Sequence, residues 1–260
     1  MRYKPPTSLE LKTLLARAAR ALPHAQMVLD WAPTRVAFWD GVERTVPRRL
    51  SADFNLWRRT GGGEEANAVY AAYDGGDVLD IGSLYGHYSL ILAPKARSGS
   101  TFLSFEADLR AVARLQYNMG VASSLFPGVV FAALPWAAGD GGVTRIDFPN
   151  GEEHLPRFSS AAGSSDAGGS SLRADDCVRL LGIRPSFVKI DVEGAELSVL
   201  RGLEETLAEH RPILMLELHP RWQPPGSSIE QVLQLLNTHG YSSRDISVDD
   251  TSVRQLWLPR

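Results

Sequence analysis

Residues 77–90, DVLDIGSLYGHYSL, run a short apolar strand into a carboxylate, a glycine-bounded turn and the opening of a helix. Few folds accept that order. Asp80 stands at the strand tip, where a charge taken out of water must be compensated, and Gly82 and Gly86 bracket the turn that follows. Beyond it, apolar runs of strand length alternate with segments of helical period. The spacing predicts strands at 77–81, 101–106, 128–134, 186–191 and 212–218, and helices near 85–93, 108–119, 175–182, 193–209 and 228–238. Such alternation builds parallel βαβ units, which makes the chain α/β. The last stretch breaks it: YSSRDISVDDTSVRQLWL has two alternating runs joined by a polar turn at 249–251, the pattern of a hairpin. A parallel sheet closed by an antiparallel hairpin is the expected architecture.

A length of 260 residues suits one principal domain, expected at 63–260, with a small helical and β-rich accessory region at 1–62. In the accessory part Leu11, Leu14, Leu15, Ala18 and Leu22 fall at helical spacing behind Ser8 as a cap. Two β-rich pieces punctuated by proline and glycine follow, QMVLDWAPTRVAFWDG and VERTVPRRLS, and then a helix, EEANAVYAAY. Residues 159–171, SSAAGSSDAGGSS, are too poor in apolar side chains to pack and read as a flexible surface loop rather than a lid. Cys177 is the one cysteine, so a disulfide framework and a multi-cysteine zinc site are excluded; with Leu180 and Leu181 it fits the buried face of a short helix. A net charge of −3 and a pI near 6.1 give no basic footprint for nucleic acid or an anionic membrane. The opening residues lack the apolar core of a secretory signal and no later run reaches membrane-spanning length, so a cytoplasmic protein is expected.

In an open parallel sheet, ligands bind beyond the carboxyl ends of the strands. The first strand brings Asp80 and the Gly82–Gly86 turn there, and the second, TFLSFEAD, brings Glu106. A dinucleotide site, and with it a nicotinamide-dependent oxidoreductase, is one alternative. Its fingerprint is G-x-G-x-x-G packed on a pyrophosphate. Here Gly82-x-x-x-Gly86 is one glycine short, and Asp80 would lie beside the phosphates. S-adenosylmethionine has no phosphate, carries a positive sulfonium and an ammonium, and offers two ribose hydroxyls. Asp80 is expected at its amino-acid end, directly or through water, and Glu106 at both ribose hydroxyls. A protein that binds the same molecule without catalysis is the other alternative.

PSFVKIDVEGAELSVL places Phe187, Lys189 and Asp191 on one face of the fourth strand and Val188 and Ile190 on the other. An interior lysine needs a partner, Asp191 or a carboxylate of a neighbouring strand. PILMLELHP repeats the arrangement with Glu217 and His219. Side by side, these strands gather Lys189, Asp191, Glu217 and His219 at the ligand edge, as a structural ion-pair cluster or as catalytic groups. Methyl transfer to an alcohol calls for a base within hydrogen-bond reach; His219 is the first candidate and Asp191 the second. Two carboxylates and a histidine do not specify a metal, and none is expected. Glu193 and Glu196 are assigned to the positive start of the next helix, and Val192, Ala195, Val199, Leu203 and Leu207 to a core stripe.

VLDIGSLYGHYSL, FEAD…LQYN, AAGDGGV and, most specific, FVKIDVEGAELSVLRGLEETL…RPILMLELH resemble the motifs of the FkbM family of S-adenosylmethionine-dependent methyltransferases, in consistent order from about Glu64 to Pro220. The resemblance implies a Rossmann-like class I methyltransferase fold, a seven-stranded, mostly parallel sheet with its last strand inserted antiparallel. It implies an enzyme that methylates a hydroxyl of a small-molecule acceptor, a natural product or saccharide, and is compatible with a homo-oligomer. Carried over by motif, Asp80, Gly82, Ser83, Tyr85 and Gly86 form the cofactor loop and Glu106 contacts the ribose. Asp140 lies in the turn bordering the adenine, and Asp191 faces the transferred methyl. Ser83-Leu84 stands where the family often has Ala-Asn, and Ala107 where a proline follows the glutamate.

Overall fold

The structure, a computed structural model, describes residues 32–57, 63–147, 157–160 and 168–260. The helix expected at 8–22 lies outside them. β1 (Pro33–Ala37) and β2 (Glu43–Pro47) pair antiparallel and lead into α1 (Arg48–Trp57) and α2 (Gly63–Ala72). Two strand–helix units follow, β3 (Asp77–Ile81) with α3 (His87–Leu92) and β4 (Thr101–Phe105) with α4 (Leu109–Leu125), and then β5 (Val130–Leu134). β6 (Val143–Asp147), β7 (Arg157–Ser160) and β8 (Gly168–Ser170) form a small antiparallel sheet in the order β7-β6-β8. The chain continues through α5 (Ala174–Leu181), β9 (Pro185–Ile190), α6 (Glu196–Arg201), α7 (Glu204–Glu209), β10 (Ile213–Leu218) and α8 (Ile229–Thr238). It ends in the hairpin β11 (Tyr241–Val248) and β12 (Val253–Pro259).

The main sheet runs β11-β12-β10-β9-β3-β4-β5, seven strands in which β12 is inserted antiparallel against β10. This is the Rossmann-like α/β architecture that the resemblance implies, antiparallel hairpin included. From β3 the chain builds outward to β4 and β5, then returns to place β9 and β10 on β3's other side. The crevice therefore opens where the strand order reverses, between the tips of β3 and β9.

Strand alternation divides the apolar side chains between two faces. Val188, Ile190, Leu216 and Leu218 bury in one cluster with Val199, Leu203 and Leu207. Phe187 and Met215 bury in the other with Val78 and Phe102. The N-terminal hairpin joins this second cluster through Val36, Phe38 and Val46. Phe38 meets Phe126 edge-on at 5.7 Å, and the Arg44 guanidinium lies over both rings. No helix among the described residues is long and apolar enough to cross a membrane.

Three local expectations give way to packing. The helix expected over 193–209 is two helices, α6 and α7, parted at Gly202, where a Cβ would stand 1.9 Å from the Gly139 carbonyl oxygen. The expected loop at 159–171 is strand at both ends, in β7 and β8, because ladder pairing uses the backbone and serine and glycine composition does not reveal it. Its residues 161–167 lie outside the described part. On α5 the buried face carries Ala174, Asp175 and Val178 instead, leaving Leu180 and Leu181 exposed and Cys177 half-buried.

Candidate active site

The turn after β3 is held from both sides. The backbone N–H groups of Gly82 and Ser83, and the Ser83 hydroxyl, all donate to the Phe105 carbonyl at the tip of β4, at 3.0, 3.0 and 3.1 Å. On the other side Lys189 Nζ donates to the Gly82 carbonyl at 2.5 Å. Gly82 has φ +69°, and a Cβ there would fall 1.8 Å from the Asp191 carbonyl oxygen, so only a bare Cα lets the β3 turn meet the end of β9. Leu84, also left-handed at φ 49°, turns its N–H onto Glu106 Oε2 at 2.7 Å, while the Asp108 N–H donates to Oε1 at 2.7 Å. Both oxygens of Glu106 are thereby aimed before any ligand arrives. Burial raises the Glu106 pKa, and those two backbone donors oppose the shift.

Against this turn lies a crevice with about 690 Å³ of empty space, its open mouth included. One wall is apolar, built from Ile81, Leu84, Phe105 and the segment Trp136–Ala138, and Glu106, Asp191 and Glu193 supply carboxylates. Its residues fit S-adenosylmethionine: an apolar wall for a purine, a buried and oriented carboxylate for vicinal hydroxyls, bare backbone at Gly82, and carboxylates towards a cationic centre.

Of the residues singled out in the sequence, Gly82, Glu106 and Asp191 line the crevice. Asp80 does not. It is fully buried below the turn, where its Oδ2 accepts from the Ser89 hydroxyl at 2.8 Å and from the Ser89 N–H at 3.2 Å. Its Oδ1 has no hydrogen bond and stands 4.0 Å from Lys189 Nζ. Asp80 thus compensates the lysine and braces the helix start, because a side chain on that face of β3 points into the sheet's covering layer. Ser83 is buried and clamps the turn. Tyr85 gives its carbonyl to Asn118 Nδ2 at 2.8 Å and its ring to the Arg114 guanidinium, away from the crevice wall. Gly86 starts α3 at φ 78°, where a Cβ would press on Met119 Cε at 2.4 Å. Asp140 is exposed, and its carboxylate accepts from the Gly142 N–H; Trp136, Ala137 and Ala138 just before it line the crevice instead. Trp136, 49% exposed, went unnoticed in the sequence, although an aromatic immediately beyond a strand tip is the available signal.

Beside the crevice the tips of β9 and β10 bring Lys189, Asp191, Glu217 and His219 together. Lys189, almost wholly buried, lies 3.5 Å from Asp191 Oδ2. Burial works to lower its pKa, but Asp191 and Asp80 outweigh it and the net shift is upward. His219 is enclosed by acids: Nδ1 is 2.8 Å from Glu196 Oε1, and Nε2 is 3.4, 3.6 and 3.9 Å from Glu193, Glu217 and Asp191. Its ring stacks on Trp222 at 4.7 Å. Burial alone would depress the His219 pKa, yet the carboxylates raise it to about 10. The crevice lining does not support its expected place as first candidate base: neither ring nitrogen lines the crevice, and both face carboxylates. Glu193 and Glu196 do more than face a helix dipole. Glu196 accepts from the Gly194 N–H and Gln223 Nε2 as well as facing His219, and Glu193 lines the crevice in a left-handed conformation, φ 53°.

Two further members come from distant segments. Arg254 on β12, opposite Glu217 in the β10–β12 register, bonds Glu217 at 2.6 Å and Glu65 on α2 at 3.3 Å; Glu65 also accepts from the Tyr88 hydroxyl. Burial pushes the Glu65 pKa up to about 7 against the opposing Tyr88 bond and Arg254 charge. An acid whose pKa is higher in the folded chain than the ordinary 4.5 makes the folded state bind more protons. Stability from this group is full below pH 4.5 and is lost as pH rises to 7, on the order of 2–3 kcal/mol. Glu65→Gln should flatten that part of the stability profile. Urea unfolding at pH 5 and pH 7.5 tests it, and an identical pH difference in both proteins would refute it.

Comparison with known proteins bears on this site directly. The sequence pattern of the methyltransferase FkbM domain matches residues 80–243, well over half of the chain. No curated protein matches the sequence. Among solved structures, methyltransferase FkbM from Methylobacillus flagellatus aligns at 18% identity and TM-score 0.47, over 71% of this chain and 44% of that one, so this chain spans less than half of that protein's length. The O-methyltransferase TomG from Streptomyces achromogenes aligns at 12% identity and TM-score 0.48, over 83% of this chain and 91% of that one. An O-methyltransferase from Bacillus cereus aligns at 13% identity and TM-score 0.45, over 82% and 91%. With the pattern running from the β3 carboxylate through the glycine turn and the Asp191–His219 block, the chain belongs to the methyltransferase FkbM domain family, and its cofactor is S-adenosylmethionine.

Proposed function

We propose that the protein methylates a hydroxyl of a small molecule, a natural product or saccharide, in the cytoplasm, with residues 63–260 as the catalytic unit and the preceding part as an accessory. The observation that carries this reading is that Asp191 and Glu193 both line the crevice beside the cofactor turn. Carboxylates at that place accept hydrogen bonds from hydroxyls and repel acceptors that are themselves anionic, such as nucleic-acid phosphates. The net charge of −3 favours the same class of partner.

Bound there, S-adenosylmethionine supplies an electrophilic methyl group on a sulfonium. Glu106, oriented by Leu84 and Asp108, would accept from the ribose hydroxyls. Gly82 lets the turn approach the ligand closely. Asp191, 29% exposed at its side chain and braced by Lys189, takes the hydroxyl proton as attack proceeds. His219 holds the acidic groups in register and is a positioning residue.

Labelled S-adenosylmethionine with a panel of saccharides and polyketides tests the reading. Asp191→Asn should lower kcat roughly 10²- to 10⁴-fold with the acceptor so found, while S-adenosylhomocysteine affinity stays within a few-fold. Unchanged turnover would remove Asp191 from the role. Binding of S-adenosylhomocysteine with no turnover of any panel member would favour a non-catalytic binder instead.

A further inference from the structure

We propose that Asp191, Glu217 and His219 form a binding site for one divalent first-row metal ion at the edge of the crevice. Each offers a donor atom, and these atoms all lie within 4.8 Å of one another. Donors bound about 2.1 Å from a common ion stand roughly 3.0–4.2 Å apart, depending on the angle between them. His219 Nε2 lies 3.6 Å from Glu217 Oε1 and 3.9 Å from Asp191 Oδ1, both inside that window.

Carboxylates near a histidine are common without an ion, and the case rests on how His219 is held. Its side chain is 3% exposed, and its Nδ1 is tied to Glu196 Oε1 at 2.8 Å. Glu196 is fully buried and is itself fixed by the Gly194 N–H at 2.9 Å and by Gln223 Nε2 at 2.8 Å. That anchorage aims Nε2 into the group of acids, where its neighbours stand at 3.4, 3.6 and 3.9 Å rather than at the length of a good hydrogen bond. A histidine with one ring nitrogen fixed by a buried carboxylate and the other pointed at a gap between carboxylates is the arrangement that orients metal ligands. Glu193 adds a separate sign: its Oε2 is buried beside the gap without a hydrogen-bond partner.

The charges agree. Asp191, Glu193, Glu196 and Glu217 surround the ring, and the fixed cations against them, Lys189 and Arg254, sit to either side, with Lys189 on Asp191 Oδ2 and Arg254 on Glu217 Oε1. A divalent ion in the gap would offset the negative charge gathered there. One carboxylate-and-imidazole donor set of this kind suits Mn²⁺ or its first-row neighbours better than Ca²⁺, which takes oxygen alone. If the proposed function holds, the ion would act on the reaction through Asp191, the one of its three ligands that lines the crevice. That purpose rests on the proposed function; the binding site itself does not.

The test uses the full chain stripped by a chelator and titrated with Mn²⁺, followed by the electron paramagnetic resonance of the free ion. One site per chain with micromolar affinity is expected, and the bound spectrum should show coupling to a histidine nitrogen. His219→Ala and Glu217→Gln should each weaken binding tenfold or more, and Glu196→Gln should weaken it without changing the stoichiometry. No saturable binding by the wild-type chain below millimolar Mn²⁺, or bound Mn²⁺ with no nitrogen coupling, overturns the proposal even where a variant fails to fold. So does unchanged affinity in folded variants. S-adenosylhomocysteine calorimetry on the stripped protein separates the two readings: cofactor binding without Mn²⁺ binding removes the ion and leaves the methyltransferase site, and the converse removes the cofactor assignment and leaves the ion.

Discussion

Glu106→Ala should weaken S-adenosylhomocysteine binding roughly hundredfold or more, measured by titration calorimetry. Two effects combine. Ribose hydroxyls lose a charged acceptor, and a hydrogen bond to a charged group contributes about 1.5–3 kcal/mol, so two of them exceed the 2.7 kcal/mol that corresponds to about a hundredfold. The substitution also strips the Leu84 and Asp108 N–H groups of the oxygens they meet at 2.7 Å, which loosens the left-handed turn at Leu84. Glu106→Gln keeps one acceptor oxygen but presents a donor where the other stood, and should fall between, near tenfold. Full affinity in the alanine variant would show that the carboxylate serves only the turn and that the ribose lies elsewhere.

Gly82→Ala should destabilise the fold by about 2–5 kcal/mol, and the reason is backbone against backbone. The added Cβ would meet the Asp191 carbonyl oxygen at 1.8 Å and its carbon at 2.8 Å, neither of which has a rotamer by which to escape. The left-handed φ of +69° adds its own strain. Gly99→Ala is the control: its φ is +88°, but nothing lies within 4 Å of the new Cβ, so only conformational strain of about 1 kcal/mol remains. Urea unfolding of both variants measures the difference. Equal losses would mean that the β3 turn and the tip of β9 do not meet as closely as described, and with them the crevice geometry would fall. Any folded fraction of the Gly82 variant should also bind the cofactor poorly, since Lys189 holds the same carbonyl that the displaced turn carries away.

Much of the scaffold was legible because its signals are local. The apolar runs that became β3, β4, β9 and β10 announce themselves by strand length and alternation, and Phe187 and Lys189 on one face with Val188 and Ile190 on the other is a consequence of pleating alone. The two-strand pattern after Tyr241 likewise needed only its polar turn, where Asp249 accepts from the Thr251 and Ser252 N–H groups. Glu106 and Gly82 were visible for the same reason: a residue at a strand tip is positioned by its own strand.

The acidic surroundings of His219 were not legible in that way. Glu196 and Glu193 come from the start of α6 and the loop before it, Glu217 from β10, and Arg254 and Glu65 from segments on either side of the matched residues 80–243. No periodicity links such positions, and a histidine's charge depends on which of them share its space. Asp80 was misjudged for a related reason. Its place at the strand tip is written in the sequence, but whether that tip opens to the crevice or closes over Ser89 and Lys189 depends on the helix packed above it.

The linear order of residues, by itself, determined which segments become strands and helices, that the sheet is parallel with a hairpin at its end, and where bare Cα atoms and carboxylates occur along it. Those properties follow from interactions a few residues long. Tertiary structure alone decided the break at Gly202, the exposure of Leu180, the partners of Asp80 and the acidic surroundings of His219, because steric room and electrostatic potential are set by every segment that comes near, however distant along the chain.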